Sequence, residues 1–332
     1  MISELEKLKI DKNIKILVTG CAGFIGSNLT EFFLRKGARI IGLDNLSTGF
    51  KKNLANIATS GLGKETSHSF NFIKGDIRNY DTCLAATKDI DIILHQAALS
   101  SVQRSLDKPI DSNDSNIGGT VNMLQASLVN NVKRFIYASS SSVYGDSEKL
   151  PKDESMPPNP KSFYAVTKLT TEYYCQLFYR LYGLETVSLR YFNVFGKRQN
   201  PDSIYSAVIP RFLKNIKKDI PPIIYGDGSQ SRDFTYIDNV IYANYLAAFS
   251  DNKNIFGNYY NVACGNNISL NEITEILSNY FEKKIQVIFE DQRKGDIKHS
   301  LASIKKITSD LNYHPIIDFK KGFKNLLKIL EY

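Results

Sequence analysis

The chain of 332 residues carries 42 Lys and Arg against 34 Asp and Glu, a net charge of +8, with 42% hydrophobic and 23% charged residues, which suits a large buried core and excludes a disordered chain. No run of ~18 apolar residues is present to span a bilayer, and charges at Glu4, Glu6, Lys7, Lys9, Asp11 and Lys12 stand where a signal peptide needs an apolar core, so a cytoplasmic protein with no membrane partner is expected. Dispersed cysteines and histidines give neither a disulfide framework nor a metal site, and scattered lysines point to a solvated surface with no nucleic-acid face.

In chain order, residues 2–9 suit a short docked helix, Ile14–Thr19 a buried strand, Phe24–Lys36 a helix with Ile25, Leu29, Phe32 and Phe33 on one face, and Arg39–Asp44 a second strand. Gly20-Cys-Ala-Gly23-Phe-Ile-Gly26 joins the first strand to the helix. Gly20 suits a tight turn, Gly23 lets the backbone approach a pyrophosphate, and Gly26 allows close helix packing, while the helix N-terminus offers free N–H groups to the phosphates. Asp44 ends the next strand, where a carboxylate accepts hydrogen bonds from an adenosine ribose and repels a 2′-phosphate. That choice selects NAD over NADP.

Further strands are predicted at Asn71–Gly75, Asp91–Gln96, Arg134–Ser140 and Thr186–Phe192, with helices near Thr82–Lys88 and Ser112–Asn130. Continuous Val/Ile/Leu strands alternating with helices predict an α/β fold with a doubly wound parallel sheet. Residues 1–192 are expected to form this Rossmann domain. Beyond them Pro201, Pro210, Pro221, Pro222 and Pro315 break the regularity, and Ile209–Lys217, Tyr236–Phe249 and Leu270–Phe281 read as elements of a smaller α/β substrate lobe over 193–332, with some segments returning to the first domain.

Tyr164-Ala-Val-Thr-Lys168 sets a phenol and an ammonium at i and i+4 on one helix face. An ordinary Tyr, with a pKa of ~10, is a poor base; the neighbouring Lys and an oxidised nicotinamide are expected to lower that value so that the pair can take a hydroxyl proton. Ser140 ends a strand 24 residues earlier (164 − 140). With extended geometry continued, Ser140 and Ser142 would face one side and Ser139 and Ser141 the other, at the carboxyl edge of the sheet where doubly wound folds bind ligands.

The glycine spacing, the Ser…Tyr-x-x-x-Lys group and the segments around them resemble the extended short-chain dehydrogenase/reductases, over roughly residues 15–313. The resemblance implies NAD contacts at Gly20, Gly23, Phe24, Ile25, Gly26, Asp44 and Asn45. It also implies an adenine contact at Asp76 and Ile77, a segment along the cofactor at Gln96, Ala97 and Ala98, a nicotinamide-side Asn116, and catalysis by Ser140, Tyr164 and Lys168. Within that family the chain is similar to nucleotide-sugar 4-epimerases, in particular the UDP-N-acetylglucosamine 4-epimerases of bacterial polysaccharide synthesis. The likeness implies a UDP-sugar held by Ser101, Ser141, Ser142, Asn193, Val208, Tyr225, the diphosphate arginines Arg232 and Arg293, Asp296 and Ser300. It also implies a homodimer built on helices Ser112–Asn130 and Ser162–Tyr182.

Gln103 and Ser303 depart from the usual Pro and Asp of these relatives. Ser300, seven residues after Arg293, matches the position of a bulky tyrosine in members restricted to UDP-glucose and UDP-galactose, and a serine there leaves room for an N-acetyl group. UDP-glucose and UDP-uronate 4-epimerases stay open as alternatives, the latter with Arg104 as a carboxylate partner. A 4,6-dehydratase is disfavoured because Ser141 and Ser142 replace its Asp-Glu pair, and a non-catalytic NAD-binding protein because Ser140, Tyr164 and Lys168 are intact.

Overall fold

The computed structural model describes residues 4–59, 69–201, 208–291 and 298–330. Among these, seven strands form one parallel sheet: β1 Lys15–Thr19, β2 Arg39–Asp44, β3 Phe70–Lys74, β4 Ile92–His95, β5 Arg134–Ser140, β6 Glu185–Tyr191 and β7 Asn258–Val262, in the order β7-β6-β5-β4-β1-β2-β3. Alternate residues along each strand enter different cores. Ile16, Val18, Leu94 and Ile136 join one cluster with Leu29 and Phe33 of the Phe24–Arg35 helix, while Leu17, Ile93 and Phe135 join another with Met123 and Leu124. Both faces are therefore dry, and this is why the strands read as unbroken apolar runs. Each such buried side chain contributes about 1.5–3 kcal/mol relative to exposure.

The chain winds outward from β1 in both directions, so the crevice at the carboxyl ends of β1 and β4 is the switch point of the sheet, where open α/β sheets bind ligands. Two expectations change. The predicted Ser112–Asn130 helix is interrupted by a π turn at Asp114–Gly118, between Pro109–Asn113 and Gly119–Val129. The helix Ile237–Phe249, read from sequence as part of the smaller lobe, packs on the sheet and on the Phe24–Arg35 helix, and β7 also returns from the C-terminal half. Its apolar residues surround the helix because the sheet, the Phe24–Arg35 helix and residues 313–317 cover several of its sides. The short docked helix is seen at Glu4–Lys7, with Leu5 and Leu8 against the core and the Lys9 carbonyl accepting from Tyr245 Oη. No helix among the described residues is long and apolar enough to cross a membrane.

Candidate active site

β1 runs into a turn in which Gly20 has φ +67 and its N–H donates to the Leu43 carbonyl. A Cβ on Gly26 would lie 2.1 Å from the Gly20 oxygen, so the helix start touches the turn backbone to backbone. Asp44, 8% exposed, braces this loop: its carboxylate accepts from Ala22 N–H at 2.9 Å and from Leu46 N–H at 2.7 Å. Burial pushes its pKa up, against those two hydrogen bonds. Gly20, Gly23, Phe24, Ile25, Gly26, Asp44, Asn45 and Ile77 line one cavity of about 390 Å³. Gln96, Ala97, Ala98, Ser101, Tyr164 and Lys168 line the same cavity.

This cradle fits a dinucleotide. Glycines stand where a Cβ would press on neighbouring backbone and push the loop out of its tight turn, the helix N-terminus carries no side-chain cap, and an acid closes the second strand. Asp76 is not among the lining residues; Arg78 grips its carboxylate at 2.7 Å, Asn45 donates to it at 2.9 Å, and these contacts, the Arg78 ones foremost, hold its pKa down at about 2. Asn116, 1% exposed, lies behind the wall. Its amide is taken up by Leu99 N–H (2.8 Å), the Leu99 carbonyl (3.3 Å) and Thr167 Oγ1 (3.1 Å), so it shapes the Leu99 segment and does not line the cavity.

Ser162 caps the Phe163–Tyr182 helix by accepting from Ala165 N–H, and Gly183 ends it in the left-handed conformation. Tyr164 and Lys168 face β5 from its first turns. The Ser140 side chain stands beside the Tyr164 phenol, and Lys168 Nζ donates to the Ala138 carbonyl at 2.6 Å while lying 5.9 Å from the Tyr164 ring centre. Burial raises the Tyr164 pKa, and the neighbouring Ser140 side chain opposes that. The same burial lowers Lys168 to about 7, because the cost of removing the ammonium from water exceeds what nearby groups return. His95, buried between Thr19 (2.9 Å) and Thr120 (3.0 Å), falls to about 3 and stays a neutral strut.

The serine alternation is corrected. Extended backbone stops at Ser140 and Ser141–Tyr144 is a 3-10 turn, so the Ser142 hydroxyl comes round to donate to Ser140 Oγ at 2.9 Å, while Ser139 donates to Glu172 in the interior. Ser141 and Ser142 line neither this cavity nor the next.

A second cavity, of about 250 Å³, brings together Asn193, Val208, Tyr225 and Arg232, which are dispersed in sequence. Gln199 lines both cavities and Arg198 lines the first, its guanidinium braced by Glu31 and Asn28. Neither was picked out from sequence; the Lys197-Arg198-Gln199 polar run directly after Gly196 was the available signal. Ser300 is 8% exposed, its N–H donates to the Ser231 carbonyl beside Arg232, and it lines neither cavity. Arg293 and Asp296 lie outside the described residues. Gln103 is exposed and donates to Asp107, and Ser303 does not cap the following helix, whose first turn has no side-chain cap.

Comparison with known proteins agrees with this geometry. Residues 16–263 match the NAD dependent epimerase/dehydratase family. A UDP-glucose 4-epimerase of Mycolicibacterium smegmatis is 33% identical over 311 residues, 93% of this chain and 96% of that one. Among solved structures, the UDP-N-acetylglucosamine 4-epimerase of Methanobrevibacter ruminantium in complex with UDP-N-acetylmuramic acid aligns with TM-score 0.88 and 37% identity, covering 98% of this chain and 100% of that chain. The UDP-glucuronic acid 4-epimerase of Bacillus cereus, in complex with UDP-glucuronic acid and NAD, aligns with TM-score 0.86 and 34% identity, covering 96% and 99%. With its glycine cradle, its Tyr164–Lys168 pair and this extent of similarity, the chain belongs to the NAD-dependent epimerase/dehydratase family.

Proposed function

We propose that the chain is a UDP-sugar 4-epimerase that interconverts UDP-N-acetylglucosamine and UDP-N-acetylgalactosamine through a transient 4-keto sugar. The observation carrying this reading is the junction of the two cavities at Gln199: one is lined by the Tyr164–Lys168 pair, the other by Asn193, Val208, Tyr225 and Arg232. NAD, when bound, supplies the acceptor and later the donor of the C4 hydride. Tyr164 takes the proton of the sugar 4-OH and returns it on the opposite face, after the keto sugar has turned about its diphosphate linkage. The Lys168 ammonium, 5.9 Å from the Tyr164 ring centre, is the cation placed to favour the phenolate that burial disfavours, and the Ser140 side chain stands beside the same phenol. Arg232 presents a planar fork to the diphosphate, so the nucleotide stays anchored while the sugar turns.

The N-acetylated pair is favoured by the likeness to a UDP-N-acetylglucosamine 4-epimerase, while the small Ser300 lies beside the Ser231–Arg232 strand and outside both cavities. One observation favours a uronate instead: Arg104 lines the Tyr164 cavity, where a guanidinium would meet a C6 carboxylate. Proton NMR of the enzyme with UDP-N-acetylglucosamine, UDP-glucose and UDP-glucuronate tests both. Fastest turnover of the N-acetylated sugar supports the reading, and conversion of the uronate alone replaces it.

The homodimer is part of the proposal. The Phe163–Tyr182 helix exposes Phe163, Val166, Tyr173, Leu177 and Leu181, and Val102, Leu106 and Ile110 are exposed on the short helices that pack against it. An apolar face of that extent suits a second copy of the chain. Light scattering that reads a monomer refutes it.

A further inference from the structure

Three consecutive residues at the end of β5 engage three successive turns of the Phe163–Tyr182 helix. The Ala138 carbonyl accepts from Lys168 Nζ at 2.6 Å, the Ser139 hydroxyl donates to the Glu172 carboxylate, and the Ser140 side chain stands beside the Tyr164 phenol. Tyr164, Lys168 and Glu172 are spaced i, i+4, i+8, so one helix face carries all three. Glu172 is 1% exposed and is paired with Arg190 through two hydrogen bonds, Nε to Oε1 at 2.9 Å and the terminal nitrogen to Oε2 at 2.6 Å. Arg190 stands directly across from Ser139 in the β5–β6 register, and its guanidinium packs between the rings of Tyr144 (4.8 Å) and Tyr259 (3.9 Å).

A buried ion pair is a poor stabiliser, since well-packed apolar residues of similar volume often do as well or better. The place of this pair, under the catalytic group and fastened to the strand that presents it, points to another role. We propose that Glu172 is a positioning residue of the active site: braced by Arg190, it locks the end of β5 against the helix through Ser139, one turn from Lys168. This rests on the reading of Tyr164 and Lys168 as the catalytic pair.

The groups that face Lys168 are consistent with such a role. On its own helix are Tyr164, Glu172 and Cys175; β5 contributes Tyr137, whose ring centre is 4.9 Å from Nζ, and β4 contributes His95, which is neutral. Burial holds the Cys175 thiol in its neutral form, so Glu172 is the full negative charge acting on the ammonium. Around Glu172 itself stand Arg190 on β6, Tyr137 on β5, Cys175 on its own helix and Lys306 from the Lys305–Leu311 helix. Burial pulls Lys168 down to about 7 and Glu172 pulls the other way. Without Glu172 the lysine gives up its proton at lower pH, and the Tyr164 phenolate loses its counter-charge.

The test uses the NAD-loaded enzyme and Glu172→Gln. The alkaline limb of kcat should move to lower pH by about 1–3 units, the span typical of losing a close opposite charge. The phenolate absorbance assigned to Tyr164, by difference from Tyr164→Phe, should move to higher pH. Near neutrality kcat should fall about 10–100-fold, within what a displaced acid–base group loses, with KM unchanged because Arg232 and Asn193 are untouched.

Removing one partner of a buried pair leaves an uncompensated charge. Glu172→Gln with Arg190→Met therefore serves where the single variant does not fold. Arg190, bonded to that carboxylate at 2.6 Å, offsets part of its field on Lys168, so the double variant should show the same two displacements, each smaller than in Glu172→Gln alone. A purely structural pair predicts instead that the double variant regains the wild-type limb and phenolate titration, and that result overturns the proposal. A failure of the underlying catalytic reading looks different: Tyr164→Phe then turns over like wild type, whatever Glu172 does.

Discussion

Gly26→Ala places a methyl group where the helix start rests on the phosphate-loop turn. Its Cβ would lie 2.1 Å from the Gly20 oxygen, 2.7 Å from the Gly20 carbonyl carbon and 3.0 Å from Cys21 Cα, all backbone atoms that cannot swing aside. Ordinary contact begins at 3.4 Å, so the helix must retreat by 3.4 − 2.1 = 1.3 Å from the turn. Overpacking of this kind costs about 1–3 kcal/mol. The retreat also withdraws the helix N-terminal N–H groups from the phosphates they would hold. If the whole cost fell on cofactor affinity, NAD would bind about 5–150-fold more weakly, at 1.4 kcal/mol per tenfold. Gly118→Ala is the matched control: a Cβ there meets nothing within 4 Å and the backbone is already helical, so stability should hold or rise by about 0.4–1 kcal/mol. Calorimetric NAD titration and thermal unfolding of both variants check this. Wild-type NAD affinity and melting temperature in Gly26→Ala would show that the turn and helix start are not held as described.

Ser300→Tyr should abolish interconversion of the N-acetylated pair while sparing UDP-glucose and UDP-galactose; equal loss on both pairs in a coupled assay, or no loss on either, removes Ser300 as the gate. Asp44→Ser should raise acceptance of NADP relative to NAD, measured as the ratio of dissociation constants, and should loosen the loop by freeing the Ala22 and Leu46 N–H groups. Lys168→Met should end catalysis yet raise the melting temperature at neutral pH. The folded pKa of Lys168, about 7, lies below the unfolded lysine value of ~10.4, so the unfolded chain binds more protons in between, and wild-type stability rises with pH across that window. The gain from Lys168→Met should accordingly be largest at or below pH ~7 and vanish near pH ~10; a gain that does not vary with pH contradicts the buried-ammonium assignment.

The strands β1 to β6 were legible to within a residue or so at each end because a parallel strand buried on both faces has no polar face to confuse the pattern. The phosphate loop was legible because its conformation demands glycine at Gly20 and Gly26. The substrate side was legible only through resemblance. Val194–Phe195, Ser231–Arg232 and Thr235–Tyr236 are two-residue strands created by tertiary pairing, too short to carry a period of their own. The serine run misled because alternation holds only while the backbone stays extended, and a 3-10 turn begins one residue after Ser140. The burial that raises the Tyr164 pKa and lowers that of Lys168 was not legible, because a sequence shows that the two are neighbours but not how deep they lie. Glu172 and Arg190 are 18 residues apart on different elements, and only the β5–β6 register together with the packing of the Phe163–Tyr182 helix on those strands brings them together beside Ser139.

The central claim is that Tyr164 moves a proton at the sugar 4-OH while the C4 hydrogen travels as hydride within the enzyme. Incubation of the NAD-loaded protein with UDP-N-acetylglucosamine in deuterated water, followed by NMR, tests it most directly. UDP-N-acetylgalactosamine should form with protium retained at C4. Deuterium at C4, or no UDP-N-acetylgalactosamine at all, would contradict the claim.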